Sequence, residues 1–308
     1  MRVLVTGGTG YLGQAVVRAL AANGYEPVAF SRRAGESDLP GQHIAGDVRD
    51  ANAVDAAVAE CDATCHLAAV VSLWQRDASV FDAVNVGGLK HVLASSVRFA
   101  KRLVYTSSFL ALPPHGRAAA ISANDYQRTK VLAEREAAAA ADAGADIVRL
   151  YPGVVFGPGV TTEGNLVGRL VGDYLAGTLP GVIGADRVWS FAWVTEVAEA
   201  HVRAIERAAP GSAYVLGGEN LPQIRAFEIA AQHASKPLPR RIPYAIASAI
   251  AYVEEGRARL LKATPLLTRG AVEIFRHDWP LESSRAIDDL GYRIKPFQQG
   301  MARLLDDL

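Results

Sequence analysis

Two rhythms of apolar residues alternate along the first half of the chain. Short β-rich runs at 2–6, 26–30, 42–45, 63–67, 102–106 and 146–150 read as strands, and longer stretches with helical spacing fill most of the gaps. Two long helical stretches fall near 78–100 and 124–142. The second ends in five consecutive alanines, 137–141, a strong helix former rather than disordered low complexity. Strand and helix in this alternation predict an α/β fold, a doubly wound parallel sheet with helices on both faces. Beyond residue 150 the rhythm changes. Gly157-Pro158-Gly159 and residues 177–184 are loop-rich, short strands separate the helices, and prolines stand at 237, 239 and 243. A smaller C-terminal lobe over 151–308 is predicted, with segments returning to the core and the lobe closing over the sheet's carboxyl edge, where open α/β sheets bind ligands. No internal repeat is present.

Bulk composition narrows this only a little. A chain of 308 residues accommodates one large α/β unit, or a nucleotide-binding domain with a smaller lobe. Its 32 basic residues balance its 32 acidic ones, which argues against non-specific nucleic-acid binding. Cys61 and Cys65 are too few for a disulfide framework or a zinc site and read as small core residues. His66, His115, His201 and His277 share no ligand spacing, so no metal is expected. No apolar run approaches the roughly 20 residues that span a bilayer, and the start is too short and glycine-bound for a signal peptide. A cytoplasmic location is the expectation.

Candidate chemistry begins where the first strand ends. Val3-Leu4-Val5-Thr6 runs into Gly7-Gly8-Thr9-Gly10-Tyr11-Leu12-Gly13, and a helical pattern follows. Glycines at 7, 10 and 13 suit a tight turn, a close backbone approach to pyrophosphate, and helix packing on strand. Their position in the first strand–helix unit points to a dinucleotide-binding domain over 1–150. The second strand ends Phe30-Ser31-Arg32-Arg33, with Ser31 where an NAD-selective site usually places a carboxylate. Guanidinium suits a 2′-phosphate, so NADP(H) is favoured over NAD(H), with Arg32 the leading contact. Asp47, after the third strand, is within reach of an adenine amine.

Tyr126 and Lys130 are four apart on one helical face. A free phenol, with a pKa of about 10, is a poor acid–base at neutral pH, and a nearby lysine cation would lower it. Ser107 and Ser108 end one strand, His66-Leu67-Ala68-Ala69 ends another, Val84-Asn85-Val86-Gly87-Gly88 opens a helix, and Pro152-Gly153 follows the sixth strand.

Together these segments resemble the extended short-chain dehydrogenase/reductase family across essentially the whole chain. The resemblance implies a Rossmann fold and sets Gly7, Gly10 and Gly13 at the pyrophosphate, with Tyr11 and Leu12 beside them. It sets Asp47 and Val48 at adenine, Ala68 and Ala69 at a strand-end contact, and Pro152 and Val154 among further cofactor contacts. Asn85, Ser108, Tyr126 and Lys130 match the family's catalytic tetrad, and Ser107 is the lesser candidate for the serine. There, tyrosine is the acid–base, serine polarises the oxygen, lysine holds the nicotinamide ribose and asparagine supports a relay water. The segments 150–159, 216–220 and 277–279 are closest to the dihydroflavonol-reductase-like and farnesol-dehydrogenase-like branch. The family also implies a homodimer through helices near 78–100 and 124–142.

Three chemistries fit such a chain: hydride exchange with an external alcohol or carbonyl, nucleotide-sugar epimerisation or dehydration with retained cofactor, and non-catalytic dinucleotide sensing. The full tetrad speaks against the last. Phe109 and Leu110 follow Ser108 where family dehydratases place an acid, and Pro152 stands where sugar epimerases tend to carry asparagine. Both departures favour the first, an oxidoreductase acting on a bulky apolar or aromatic small molecule. Trp74, Phe109, Trp189, Phe191 and Trp193 are candidates to line its pocket. Arg187 is the cation that keeps a sugar phosphate in play.

Overall fold

The computed structural model describes residues 1–160, 162–261 and 263–308. Six parallel strands come first: β1 (Arg2–Thr6), β2 (Glu26–Ser31), β3 (Gln42–Ala45), β4 (Ala63–His66), β5 (Arg102–Thr106) and β6 (Ile147–Pro152). Next, β7 (Val154–Phe156) and β8 (Val188–Trp193) open a second sheet, β9 (Ala213–Leu216) returns to the first, and β10 (Glu219–Pro222) pairs antiparallel with β8. The large sheet is therefore ordered β3-β2-β1-β4-β5-β6-β9, and the small one β10-β8-β7. Between β1 and β4 the winding reverses. That is the switch point at which doubly wound sheets open a crevice for a ligand.

The helices are α1 (Tyr11–Ala22), α2 (Ala51–Ala59), a short α3 (Ser79–Phe81), α4 (Gly88–Arg98), α5 (Asp125–Asp142), α6 (Leu166–Ala176), α7 (Val194–Arg207), α8 (Ile224–Ala234), α9 (Tyr244–Leu261), α10 (Arg269–Ile274), α11 (Ser284–Leu290) and α12 (Phe297–Asp307). A π-helical segment, Asp82–Gly87, joins α3 to α4, so the helix expected over 78–100 is one helical run with a widened turn inside it. None of the helices, among the described residues, is long and apolar enough to cross a membrane.

Pleating decides which side chains meet which layer. Along β1, Val3 and Val5 pack with Val16, Leu20 and Val197 on the α1/α7 face, while Leu4 packs with Val54, Val92 and Ala133 on the opposite face. Both faces are covered, so the strand is almost continuously apolar. The lobe has its own core, in which Phe156, Phe191, Phe227, Phe297 and Met301 bury the small sheet under α6, α8 and α12. Cys61 and Cys65 are free thiols buried in the large domain, as composition suggested. Burial raises them to about 11 and about 12.

Candidate active site

The glycine loop leaves β1 and meets the end of β4 backbone to backbone. Gly7 has φ +72°, in the left-handed region, and a Cβ there would lie 2.8 Å from the Ala68 backbone. A Cβ on Gly13 would stand 2.1 Å from the Gly7 carbonyl oxygen. Helix α1 begins at Tyr11 with no side-chain cap, which leaves the positive end of its dipole open to an anion. A backbone cradle of this kind fits a dinucleotide pyrophosphate. The Tyr11 hydroxyl donates to the Gly157 carbonyl at 2.9 Å, tying the loop to the lobe, and Leu12 packs inward under α1.

At the end of β2, the Thr9 hydroxyl donates to the Ser31 hydroxyl at 2.9 Å, while Arg32 and Arg33 are exposed. Asp47 is gripped by Arg49, whose Nη2 lies 2.6 Å from Oδ2. That bond holds the Asp47 carboxyl below the usual carboxylate range, and the Arg32 charge adds to the effect. Arg49 escaped notice in the sequence, where two residues' distance from Asp47 was its only signal. Val48 is buried beside α4.

Beyond β5, the Ser108 hydroxyl accepts from the Leu110 N–H at 3.2 Å and is the polar neighbour that acts on the Tyr126 phenol. The Ser107 and Tyr105 hydroxyls are both buried without a hydrogen-bond partner among the described residues. Tyr126 lies in the first turn of α5, which Asn124 caps through the Gln127 N–H at 2.8 Å. Burial pushes the Tyr126 phenol up to about 12, and Ser108 pulls the other way. One turn on, Lys130 Nζ donates to the Thr106 carbonyl at 3.0 Å and lies 5.5 Å from the Tyr105 ring centroid. Burial brings this lysine down to about 8. The Lys130 ammonium is turned to the Thr106 carbonyl, and Ser108 opposes the effect of burial on Tyr126.

Asn85 is buried in the π segment, a distortion that re-aims a side chain and recurs at functional sites. Its Oδ1 accepts from the Val70 N–H at 2.7 Å, and its Nδ2 donates to the Thr129 hydroxyl at 3.0 Å. Three residues inside the Tyr126–Lys130 turn were not singled out from sequence. Gln127, fully buried, donates to the Leu110 carbonyl at 3.1 Å and accepts from the Ala123 N–H at 3.0 Å. Arg128 donates twice to Asp82, at 2.8 and 2.6 Å, and Thr129 receives Asn85. These bonds lock α5 to the Ser108 loop and to the π segment.

The aromatic candidates divide. Phe109 packs edge-on to Trp279 with centroids 5.4 Å apart, and Trp189 donates from Nε1 to the His277 carbonyl at 3.1 Å. Val154, Trp189 and Phe191 line a cavity of about 20 Å³ inside the lobe, together with Leu166, Phe227 and Gln223. Trp193 does not reach it. Its ring sits in the lobe core against Phe156 at 5.3 Å, with Lys295 Nζ 5.4 Å from its centroid. Trp74 is half-buried on the segment after β4, where the Ser72 hydroxyl donates to its carbonyl at 2.7 Å. Pro152 ends β6 in register with Leu216 of β9, next to Val154. Ala69 follows Ala68 beyond β4, half-buried.

Arg187 is engaged by Asp278, 3.1 Å away. Asp278 also accepts the Val188 N–H at 2.8 Å while the Trp279 N–H donates to the Val188 carbonyl at 2.7 Å. The His277-Asp278-Trp279 segment is thereby a stitch onto β8. His66 and His201 pair with the Thr6 and Thr106 hydroxyls at 2.7 and 2.8 Å. Burial pushes these imidazoles down to about 3 and about 4, so both are neutral.

Known proteins share this fold. A family model described as the NAD dependent epimerase/dehydratase family matches residues 3–217, from β1 to the glycines after β9. A putative dihydroflavonol 4-reductase of Synechocystis sp. is 28% identical over 97% of this chain and 92% of its own length. A 2-alkyl-3-oxoalkanoate reductase of Stenotrophomonas maltophilia is 31% identical over 99% of this chain and 98% of its own. The solved UDP-glucose 4-epimerase of Thermus thermophilus, in complex with NAD, superposes with a TM-score of 0.76 at 24% identity, covering 100% of this chain and 98% of that one. Phosphate loop, doubly wound sheet and full-length similarity agree, and the chain belongs to the NAD dependent epimerase/dehydratase family of extended short-chain dehydrogenase/reductase enzymes.

Proposed function

We propose that this protein reduces, or oxidises in reverse, a bulky apolar carbonyl or alcohol with a nicotinamide dinucleotide, NADP(H) in preference to NAD(H). The observation that carries the reading is Ser108 acting on the Tyr126 phenol, with Lys130 one turn away on the same helix face. A dinucleotide bound in the glycine cradle would supply or accept the hydride. Ser108 orients the substrate oxygen and Tyr126 gives it a proton, or takes one in oxidation. Lys130, whose ammonium donates to the Thr106 carbonyl, is the residue that would hold the nicotinamide ribose. Asn85 braces the Val70 backbone and Thr129, which keeps α5 in register with the segment after β4. For cofactor choice, the support is Ser31 in place of a carboxylate, with Arg32 exposed at the end of β2.

The apolar substrate reading draws on the lobe interior. Its small cavity is lined by hydrophobic side chains and the single amide of Gln223, whose Nε2 is buried without a partner among the described residues. The Stenotrophomonas relative, by its name, acts on an oxo group flanked by alkyl chains. Pairing of two chains through α4 and α5 belongs to the same reading. Its support is Val97 on α4, an exposed valine at 61% accessibility, and sedimentation checks it.

A spectrophotometric screen of 2-alkyl-3-oxo esters, aryl ketones and prenyl alcohols with both cofactors tests the proposal. Net change in nicotinamide absorbance with an apolar ketone or alcohol is expected. Turnover of UDP- or dTDP-sugars alone, without net redox change, would replace it with an epimerase.

A further inference from the structure

One turn beyond Lys130 along α5 lies a buried charge cluster with no part in the scheme above. Glu134 follows Lys130 by four residues, as Lys130 follows Tyr126, so the three share a helix face. Two residues of β6 clamp its carboxylate. Arg149 Nη1 donates to Oε1 at 3.0 Å and the Tyr151 hydroxyl donates to the same oxygen at 2.7 Å. The Arg149 and Glu134 side chains are only 16% and 13% exposed. Arg149 Nη2 also reaches the Gly211 carbonyl at 3.3 Å. The other Glu134 oxygen, Oε2, is buried without a hydrogen-bond partner among the described residues. Half of a buried carboxylate is therefore left unbonded, a costly arrangement unless its charge serves a neighbour.

That neighbour is Lys130. The groups facing it from each packed element are few. Tyr126 and Glu134 come from its own helix, the Tyr105 ring and Thr106 carbonyl from β5, and His66 from β4, while Arg149 and Tyr151 of β6 stand on Glu134. His201 of α7 stands behind Thr106. Both histidines are neutral, and the tyrosines hold their protons because burial raises Tyr105, Tyr126 and Tyr151 alike. Glu134 is the anion whose attraction acts on Lys130 against the effect of burial.

We propose that Glu134 is a positioning residue, held by Arg149 and Tyr151 as the buried counter-charge that keeps the Lys130 ammonium charged and directed at the Thr106 carbonyl. The inference rests on the reading of Lys130 as the working cation. Cation, anion and cation then alternate from Lys130 through Glu134 to Arg149. Removal of the middle charge leaves two buried cations without their counter-charge.

Glu134→Gln tests this, because the amide oxygen still accepts from Arg149 and Tyr151 while the charge is gone. The probe is an NMR titration of Lys130 in full-length protein carrying isotope-labelled lysine, assigned with Lys130→Met. Residues four apart on a helix stand roughly 5–6 Å apart at their Cβ atoms, and a unit charge at that separation and an effective dielectric of about 20 moves a pKa by about 2 units. The Lys130 midpoint is expected to fall by at least about one pH unit in Glu134→Gln. Glu134→Asp, which keeps the charge, restores most of it. Should the single variant fail to fold, Glu134→Gln/Arg149→Met removes the pair together, a change buried pairs often tolerate, and the midpoint still falls because Glu134, not Arg149, is the charge that acts on Lys130. A merely structural Glu134 would lower thermal stability and leave the midpoint where it was, which overturns the proposal. Calorimetry with NADP⁺ and NAD⁺ on Lys130→Met separates the two layers. Unchanged affinity for both there would overturn the reading of Lys130, and the positioning role with it. Lost affinity together with an unmoved midpoint in Glu134→Gln would overturn the positioning role alone.

Discussion

Gln127 joins three parts of the site at one amide, and its replacement by methionine should be felt in both stability and rate. Methionine keeps nearly the same length and removes both polar ends. The Leu110 carbonyl then loses its donor in a buried bond and the Ala123 N–H its acceptor in a partly buried one. A buried group left unsatisfied costs roughly 1–3 kcal/mol and the partly buried bond about 0.5–1.5, which makes about 2–4 kcal/mol together. At roughly 2–4 °C per kcal/mol for a domain of this order, Tm should fall by about 4–15 °C. Gln127 also holds the 109–111 turn against α5, so the Ser108–Tyr126 alignment loosens. A misplacement near 1 Å can cost up to about 10²-fold in rate, and the loss should appear in kcat more than in KM. Thermal melts and steady-state kinetics on the native and variant proteins measure both. A Tm within a degree of the native value, with unchanged kcat, would show that Leu110 and Ala123 find other partners and that Gln127 positions nothing.

Other substitutions probe the chemistry and the charge of the interior. Tyr126→Phe keeps the ring and removes the phenol, so turnover should drop by about 10²–10⁴-fold while dinucleotide binding, followed by fluorescence, persists; near-normal turnover would take Tyr126 out of the reaction. Arg32→Ala should erase most of a roughly ten- to a hundred-fold preference for NADP(H), since a charged hydrogen bond contributes about 1.5–3 kcal/mol. An equal loss for both dinucleotides would make Arg32 a stacking residue. Burial holds His66 and His201 down to about 3 and about 4, whereas the unfolded chain takes up those protons near pH 6.5. Between about pH 6.5 and 4 the unfolded state therefore binds more protons, and stability should fall with acid by about 1.4 kcal/mol per pH unit for each histidine, or about 2 kcal/mol each at pH 5. Urea midpoints at pH 7 and pH 5 check this, with His201→Gln losing half of the histidine slope; a slope identical in the variant would mean that His201 is charged in the fold.

Local pattern was enough for everything that depends on neighbours in the chain. Five of the six expected strands begin where the structure begins them, because β-rich runs between helical stretches have one way to bury both faces in a parallel sheet. The glycine loop was legible for a steric reason, since side chains at 7 and 13 would strike backbone. Tyr126 and Lys130 were legible because helical spacing is a property of the segment alone. Contacts between distant segments lay beyond that reach. The return of β9 to pair with β6, the π segment that aims Asn85, and the withdrawal of Trp193 into the lobe core are set by partners far away in sequence. So are the capture of Arg187 by Asp278 and the turn of Lys130 toward Thr106. Periodicity reports which face of an element is buried, but not what waits on the other side. Only the packed fold decides that, because a buried polar group takes whichever partner the tertiary structure brings within about 3 Å.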